Sequence, residues 1–503
     1  MDALRKYLYG PKFVANPIEE YFDRITRYQV YVYAMFTVSK YMMFFHMLNH
    51  MVISPKMNFY CGGSRLDDGS YSGVLNQCPC EETVHWDTTY FSNTAQTKYG
   101  LYCGREWLVS FSKTMLYVGL FFGVTLYGML ADKVGRIPAT VVSYFMIGVS
   151  GCLAPFMPEV ISFCIMRMIE GLGTGGAVVV VYVIVVEYCG PSNRGAVSGF
   201  IHLPLNVAHS SLGLLSYLIR DWTLAMITMS VPCILFGFLT FLVLESPRWL
   251  VDSGKIDKGA EVMKKICKHN KKPCEDMGQK INTFLAQSEK PPESISIRQC
   301  LKHKPLFLNF LVMAGVYFTI GFSYYGLSQF ISEMSDSPFL NITVSGACLI
   351  PGTIVTCILL GKVRRKLFLM ICFISAGLTF LPVIFLPDNL HALRVGLSCI
   401  SNCLFFMAFI IQFLYACELF PTSARNSILG LLSTISRIGQ IVSPVFLTIK
   451  VQYVESLFVV LAIVSAALLY FLPETFNTIL PSTIEDSLIM AKSGRGLRLR
   501  RRR

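Results

Sequence analysis

Arg437 stands inside an apolar stretch, eleven residues past Asn426, where a lone guanidinium needs a partner. At a rise of 1.5 Å per helical residue that is roughly 16 Å of depth. A charge so placed costs roughly 2.5 to 3.5 kcal/mol even on insertion scales, so it must face a cavity, pair with an acid or snorkel. The depth argues against snorkelling, which leaves contact with a bound anion or a structural ion pair. Lys40 is a second cation in an apolar stretch, with a snorkelling or interhelical contact as its competing account. No aspartate lies in these stretches, and the deep acid Glu170 follows Arg167 by three residues, a spacing that pairs them on one helix face. The charge left over is positive, which favours a carboxylate or another organic anion. Tyr117, Tyr324 and Tyr325 add rings that attract ammonium groups, although tyrosine also simply packs in apolar cores. A positive pocket with rings suits a zwitterion such as a betaine. His202, Asn206 and His209 share one helical face. They could line a path or sense pH, and interhelical hydrogen bonding is the commoner use.

The elements that must position these groups are membrane helices. Of 503 residues, 53% are hydrophobic and only 15% charged, too apolar for soluble domains. Stretches long enough to cross roughly 30 Å of hydrocarbon fall near 28–52, 107–131, 138–157, 160–187, 197–219 and 222–244. A second set follows near 306–331, 340–361, 367–386, 391–415, 427–449 and 454–472. The expected fold is all-α, with about twelve spans in two six-helix bundles, 28–244 and 306–472. A charged linker, 245–305, joins them; it includes the helix-forming stretch Asp257 to His269 and is broken by Pro291-Pro292.

The net charge of +13 is informative through its placement. Basic residues crowd the N-terminus (1–27), the 245–305 segment, Lys362 to Lys366 and the RLRRRR tail within 473–503, whereas the loop at 157–159 has none. That bias predicts cytoplasmic termini. Charges spread over membrane-flanking loops do not read as a nucleic-acid surface; the lipid bilayer is the expected partner, with anionic lipid at the tail. No cleavable signal peptide is visible, so the first span serves as its own insertion signal.

The polar loop 55–106 then faces outward and carries Cys61, Cys78, Cys80 and Cys103. Four cysteines in an oxidising compartment can close two disulfides in three ways, and the spacing chooses none. Zinc at Cys78-Pro79-Cys80 is a weak alternative without a second pair. The sequon Asn341-Ile342-Thr343 is a glycosylation candidate placed close to the membrane.

The chain repeats itself. Gly128 opens GMLADKVGR and Gly361 opens GKVRRK, 233 residues apart; Glu187 and Glu418 lie 231 apart, each with an arginine seven residues on, at Arg194 and Arg425. Glu245 and Glu474 close the two halves 229 apart. Such a period fits two bundles related by an axis along the membrane normal. Asp132, Arg136, Glu187, Arg194, Glu418 and Arg425 sit at span ends on one side, where charges bridge helices as gates or merely anchor helix ends. Each exposed pair is worth only ~0 to 1 kcal/mol, so several must act together to bias a two-state equilibrium. The second loop motif lacks the aspartate and ends in Arg364 and Arg365, so the two gates are not expected to match.

These motifs resemble the major facilitator superfamily. The long cysteine-bearing first loop, YGLYCGREWLVSFSKTMLYVG at 99–119, SYLIRDW at 216–222 and ELFPTSARNSILG at 418–430 are similar to its organic cation, anion and zwitterion (carnitine) transporter family. The resemblance implies a plasma-membrane carrier of small organic ions working by alternating access, with a central site between the bundles. It also implies a basic residue near Arg437 in members that handle carboxylates, and ring residues near Tyr117, Tyr324 and Tyr325. An organic cation carrier and a non-transporting solute receptor are the alternatives. No cofactor is expected, since a phosphate-binding glycine loop with lysine is missing. No converging catalytic group suggests an enzyme, and the coupling ion is left open.

Overall fold

A computed structural model describes residues 17–55, 57–63, 73–190, 197, 199–271, 277–287, 297–334, 337–359, 362–387, 390–447, 451–476, 481 and 484–493. Among the described residues, twelve long helices carry the fold. The first six are α1 (Arg27–Leu48), α2 (Trp107–Val134), α3 (Arg136–Leu153), α4 (Val160–Glu187), α5 (Leu203–Leu218) and α6 (Trp222–Leu239). The second six are α7 (Lys304–Ser332), α8 (Pro338–Leu359), α9 (Arg365–Phe380), α10 (His391–Leu419), α11 (Thr422–Phe446) and α12 (Val451–Leu469). This is the expected all-α architecture of about twelve spans.

Among the described residues, nine helices are long and apolar enough to cross a bilayer, and the apolar stretch of α12 is shorter, Tyr453–Leu469. The others are α1, which carries Arg27, Gln29, Lys40 and His46, and α5, which has only 16 residues. Gln29 and His46 of α1 and Asn206 of α5 are buried and bond to neighbouring segments. Prolines stand inside α6, α8 and α11, at Pro232, Pro351 and Pro444, as membrane helices tolerate more readily than soluble ones.

Small residues let the helices approach. A Cβ on Gly171 of α4 would strike the Leu116 carbonyl of α2, so this crossing brings backbone against backbone. Gly135, at φ 125°, makes the sharp turn from α2 into α3 that a side chain would resist.

The loop before α2 forms a small cap. Strands β1 (Phe59–Cys61), β2 (Val74–Leu75) and β3 (Val84–Trp86) make an antiparallel sheet in the order β2-β1-β3. Two disulfides fasten it, Cys61–Cys80 and Cys78–Cys103. The pairing removes the zinc alternative, because both sulfurs of the Cys78-Pro79-Cys80 stretch are bonded to carbon-borne sulfurs. The cap rests on both bundles, with the Ser92 amide donating to the Arg220 carbonyl at 3.1 Å and the Phe91 ring edge-on to Phe339 of α8 at 5.0 Å.

At the opposite end, the helix Ile256–His269 buries Gly259, Met263, Ile266 and Cys267 and ends at Asn270, which accepts from the Tyr28 amide at 2.9 Å. The expected helix from Asp257 is present. Pro291-Pro292, Gly361, Arg194 and the RLRRRR tail lie outside the described residues.

The sequon at Asn341 is corrected. Asn341 lies in α8, only 4% exposed, and its amide donates to the Ile331 carbonyl at 3.1 Å. The nitrogen a glycan would need is already committed inside the bundle.

Candidate functional site

The two bundles meet along two seams, α5 against α8 and α2 against α11. On the first, Asn206 donates to Thr353 Oγ1 at 2.6 Å, Ser210 to the Thr343 carbonyl at 3.1 Å, and His209 Nε2 meets Ser345 Oγ at 3.1 Å. The polar face of α5 is therefore spent on contacts with α8. On the second seam, Lys113 of α2 meets Glu333, just past α7, at 3.0 Å, and Thr114 donates to the Ile441 carbonyl of α11 at 3.4 Å. Gln329 braces the same glutamate at 3.0 Å. Both contacts of the second seam lie at the cap end.

Between the seams sits Arg437, on α11. It is half-buried among the helices. One nitrogen donates to Gln440 at 3.0 Å, and the guanidinium lies within electrostatic reach of Tyr325 and Tyr117. Tyr117 and Tyr325 meet edge to face at 5.8 Å across the bundles, and Tyr324 packs on Tyr325 at 4.8 Å. Four of the five candidate ligands thus converge. Among the described residues, no carboxylate reaches ion-pairing distance of Arg437.

Lys40 lies further along the interior. It is 3% exposed, with its ammonium 5.6 Å from the Tyr182 ring, and it acts electrostatically on His202. Among the described residues it has no carboxylate partner either. A run of rings joins the two cations: His202 to Phe409 at 5.7 Å, Phe409 to Tyr324 at 6.3 Å, then Tyr325 and Tyr117.

Several buried polar atoms along this run have no protein partner: both nitrogens of His50, the hydroxyls of Tyr117 and Tyr324, and Gln440 Nε2. An orphan left dry would cost roughly 1–3 kcal/mol, so these are groups that water or a bound solute can satisfy. Sequence reasoning missed His50, Gln440, Tyr182 and Phe409. His50 could have been found as an orphan imidazole at the cap end of the first span; the other three carry no signal, since their role depends on which helix they face.

The motif residues form latches within each half. Arg136 meets Glu187 at 2.9 Å and Asp132 at 2.5 Å, while its backbone amide and that of Ile137 donate to Glu245, both at 3.1 Å. Burial pushes the Glu245 carboxyl above its usual range, and its backbone hydrogen bonds pull the other way. Arg365 repeats the pattern, with Nε 3.3 Å from Glu418 and its amide donating to Glu474 at 3.0 Å. The second half lacks the aspartate, as expected, yet its arginine–glutamate contacts match those of the first. Arg365 supplies the guanidinium that Arg136 supplies in the first half, and the two are 229 residues apart like Glu245 and Glu474. Arg425 does not bridge to Glu418 but donates to the Phe420 carbonyl at 3.3 Å, and Arg194 is outside the described residues.

Comparison with known proteins fits this geometry. Residues 104–444 match the model of the Major Facilitator Superfamily. The chain is 31% identical over 428 residues to solute carrier family 22 member 6-A of Xenopus laevis, covering 82% of this chain and 76% of that protein. It is 28% identical to an organic cation transporter-like protein of Drosophila melanogaster over 83% of this chain and 77% of the relative. With solute carrier family 22 member 2 of Rattus norvegicus the identity is 27%, over 81% and 74%. Among solved structures, the inward open conformation of the xylose transporter XylE from E. coli superposes with a TM-score of 0.63 at 18% identity, over 90% of this chain and 98% of that one. That likeness concerns the fold alone.

Proposed function

Because this chain belongs to the Major Facilitator Superfamily, in its family of organic ion transporters, we propose that it carries small organic anions or zwitterions by alternating access through the chamber around Arg437. Membrane transport follows from the family, and enzymatic chemistry does not. The preference for negative cargo rests on one observation: two interior cations, Arg437 and Lys40, have no protein carboxylate beside them among the described residues.

A carboxylate entering the chamber pairs with Arg437, and a quaternary ammonium on the same molecule lies against the tyrosine rings by cation-π attraction. A pure cation meets two like charges instead. In this reading the protein lies in the plasma membrane, the disulfide-bonded cap faces outside, the termini and linker face the cytoplasm, and the Lys113–Glu333 contact closes the outer entrance. The latches around Arg136 and Arg365 keep each bundle rigid while the bundles rock against one another.

The test is uptake into proteoliposomes of labelled carnitine, succinate and tetraethylammonium, by wild type and by Arg437→Ala. Carnitine or succinate uptake that falls in the variant supports the reading. Equal uptake of tetraethylammonium by both proteins, with neither of the others carried, makes this an organic cation carrier. Binding of any probe without counterflow makes it a receptor.

A further inference from the structure

We propose that the first bundle holds a proton-binding site at His46 and Glu170, and that its occupancy is coupled to cargo movement through the chamber. The inference rests on the transport reading and adds the coupling ion to it.

Both ring nitrogens of His46 face acceptors. Nε2 lies 3.1 Å from the Met229 carbonyl of α6, and Nδ1 lies 2.6 Å from Glu170 Oε1 on α4. A carbonyl brings no proton, so Nε2–H donates to it. The bare Nδ1 lone pair would then oppose a carboxylate oxygen at 2.6 Å unless one further proton sits between them. The remaining contacts decide where that proton resides. Arg167 donates to Glu170 Oε2 at 2.8 Å and to Asn49 Oδ1 at 2.8 Å, and Asn49 Nδ2 donates to Glu170 Oε1 at 2.9 Å. Two donors besides the imidazole hold the carboxylate anionic, which leaves the proton on the histidine.

His46 and Glu170 are both 0% exposed, and Arg167 is 1% exposed. With the proton bound, His46, Glu170 and Arg167 sum to one positive charge in a sealed interior, which is costly. Without it they sum to zero, but two lone pairs are forced together across the α1–α4 contact. Each state is opposed by a different penalty, so proton occupancy and the α1–α4 contact change together. Among the described residues the other titratable groups facing His46 are Cys152 at the end of α3 and Cys233 of α6, with no second carboxylate.

The site adjoins the chamber. Asn49 precedes His50, whose ring meets Tyr117 at 5.7 Å, and Arg167 acts electrostatically on both Tyr117 and His50. Tyr117 is thus flanked by Arg167 from the proton site and Arg437 from the cargo site. Anionic cargo moving into a negative interior works against about 2.3 kcal/mol per 100 mV for each net charge, and each proton moving with it removes one such charge.

The test uses purified full-length protein in proteoliposomes with a pH-sensitive dye inside, at zero membrane potential, with succinate and carnitine as probes. In wild type, whichever probe shows counterflow should acidify the lumen during net entry into liposomes that hold none of it. For a carboxylate moving with one proton, an inward gradient of one pH unit should drive about tenfold accumulation. In His46→Gln and Glu170→Gln the accumulation ratio should fall to about one, a ratio that does not depend on how much variant protein folds. Wild-type counterflow without acidification or gradient-driven accumulation overturns the proton site and leaves the transporter reading intact. Tenfold accumulation retained in folded His46→Gln overturns the assignment to this pair. Binding without counterflow overturns both readings.

Discussion

Arg437 has its nearest protein interactions with an amide and two phenols, none of which carries a counter-charge. A bound carboxylate would therefore supply the pairing that the fold withholds. Removing one side of a desolvated charged contact costs roughly 2–5 kcal/mol, so Arg437→Ala should weaken anion or zwitterion binding by about 30-fold or more, read as the concentration dependence of uptake. Arg437→Lys should recover only part of it, since an ammonium cannot reproduce the planar fork. Full recovery would mean that only charge matters at this position.

At the scale of elements, the two latches are copies. Arg136 joins α3 to Glu187 and Glu245, and Arg365 joins α9 to Glu418 and Glu474. Charge-assisted hydrogen bonds contribute about 1.5–3 kcal/mol each, so Arg136→Ala and Arg365→Ala should lower the melting temperature in detergent by similar amounts, several degrees each. A large drop in one variant alone would deny the equivalence. The cap-end contact between α2 and α7 makes a different prediction, because it crosses the halves. Lys113→Met leaves Glu333 without its cation, shifting the equilibrium about tenfold or more towards a chamber open at the cap end. A cysteine placed at Thr114 should then react faster with a membrane-impermeant maleimide than in the Lys113 background, and the double exchange Lys113→Glu, Glu333→Lys should restore slow labelling.

For the whole molecule, the α5–α8 seam must slide or open if the bundles rock. Gly346 permits the close approach, since a Cβ there would strike the Ser210 amide. Gly346→Leu should hold the halves apart at this seam and slow exchange several-fold, with the disulfide-bonded cap and both latches intact; unchanged exchange would show that the seam does not limit transport. The fold itself was largely legible. Spans of about twenty apolar residues follow from the bilayer's demand for satisfied backbone and apolar surface, the repeat near 230 from two similar halves, and the clustering of basic residues from the charge bias of loops on one side. The candidate site was legible in part: Arg437, Lys40 and the tyrosines stand out because charge and ring are rare or informative in apolar stretches, whereas Gln440 and Phe409 look like ordinary helix residues.

The sequence by itself determined the class, the doubling and the stranded cations, because each is a matter of composition or spacing along one chain. It also placed Glu170 beside Arg167, a contact local to one helix turn. Only the tertiary structure decided the rest. Three disulfide connectivities were equally consistent with the cysteine spacing, and the folded loop joins Cys61 to Cys80 and Cys78 to Cys103. Arg365 became the equal of Arg136 through helix packing, although its loop lacks the aspartate. His46 came to Glu170 across 124 residues. Contacts between distant segments depend on how helices rotate and cross, and periodicity along a chain fixes neither.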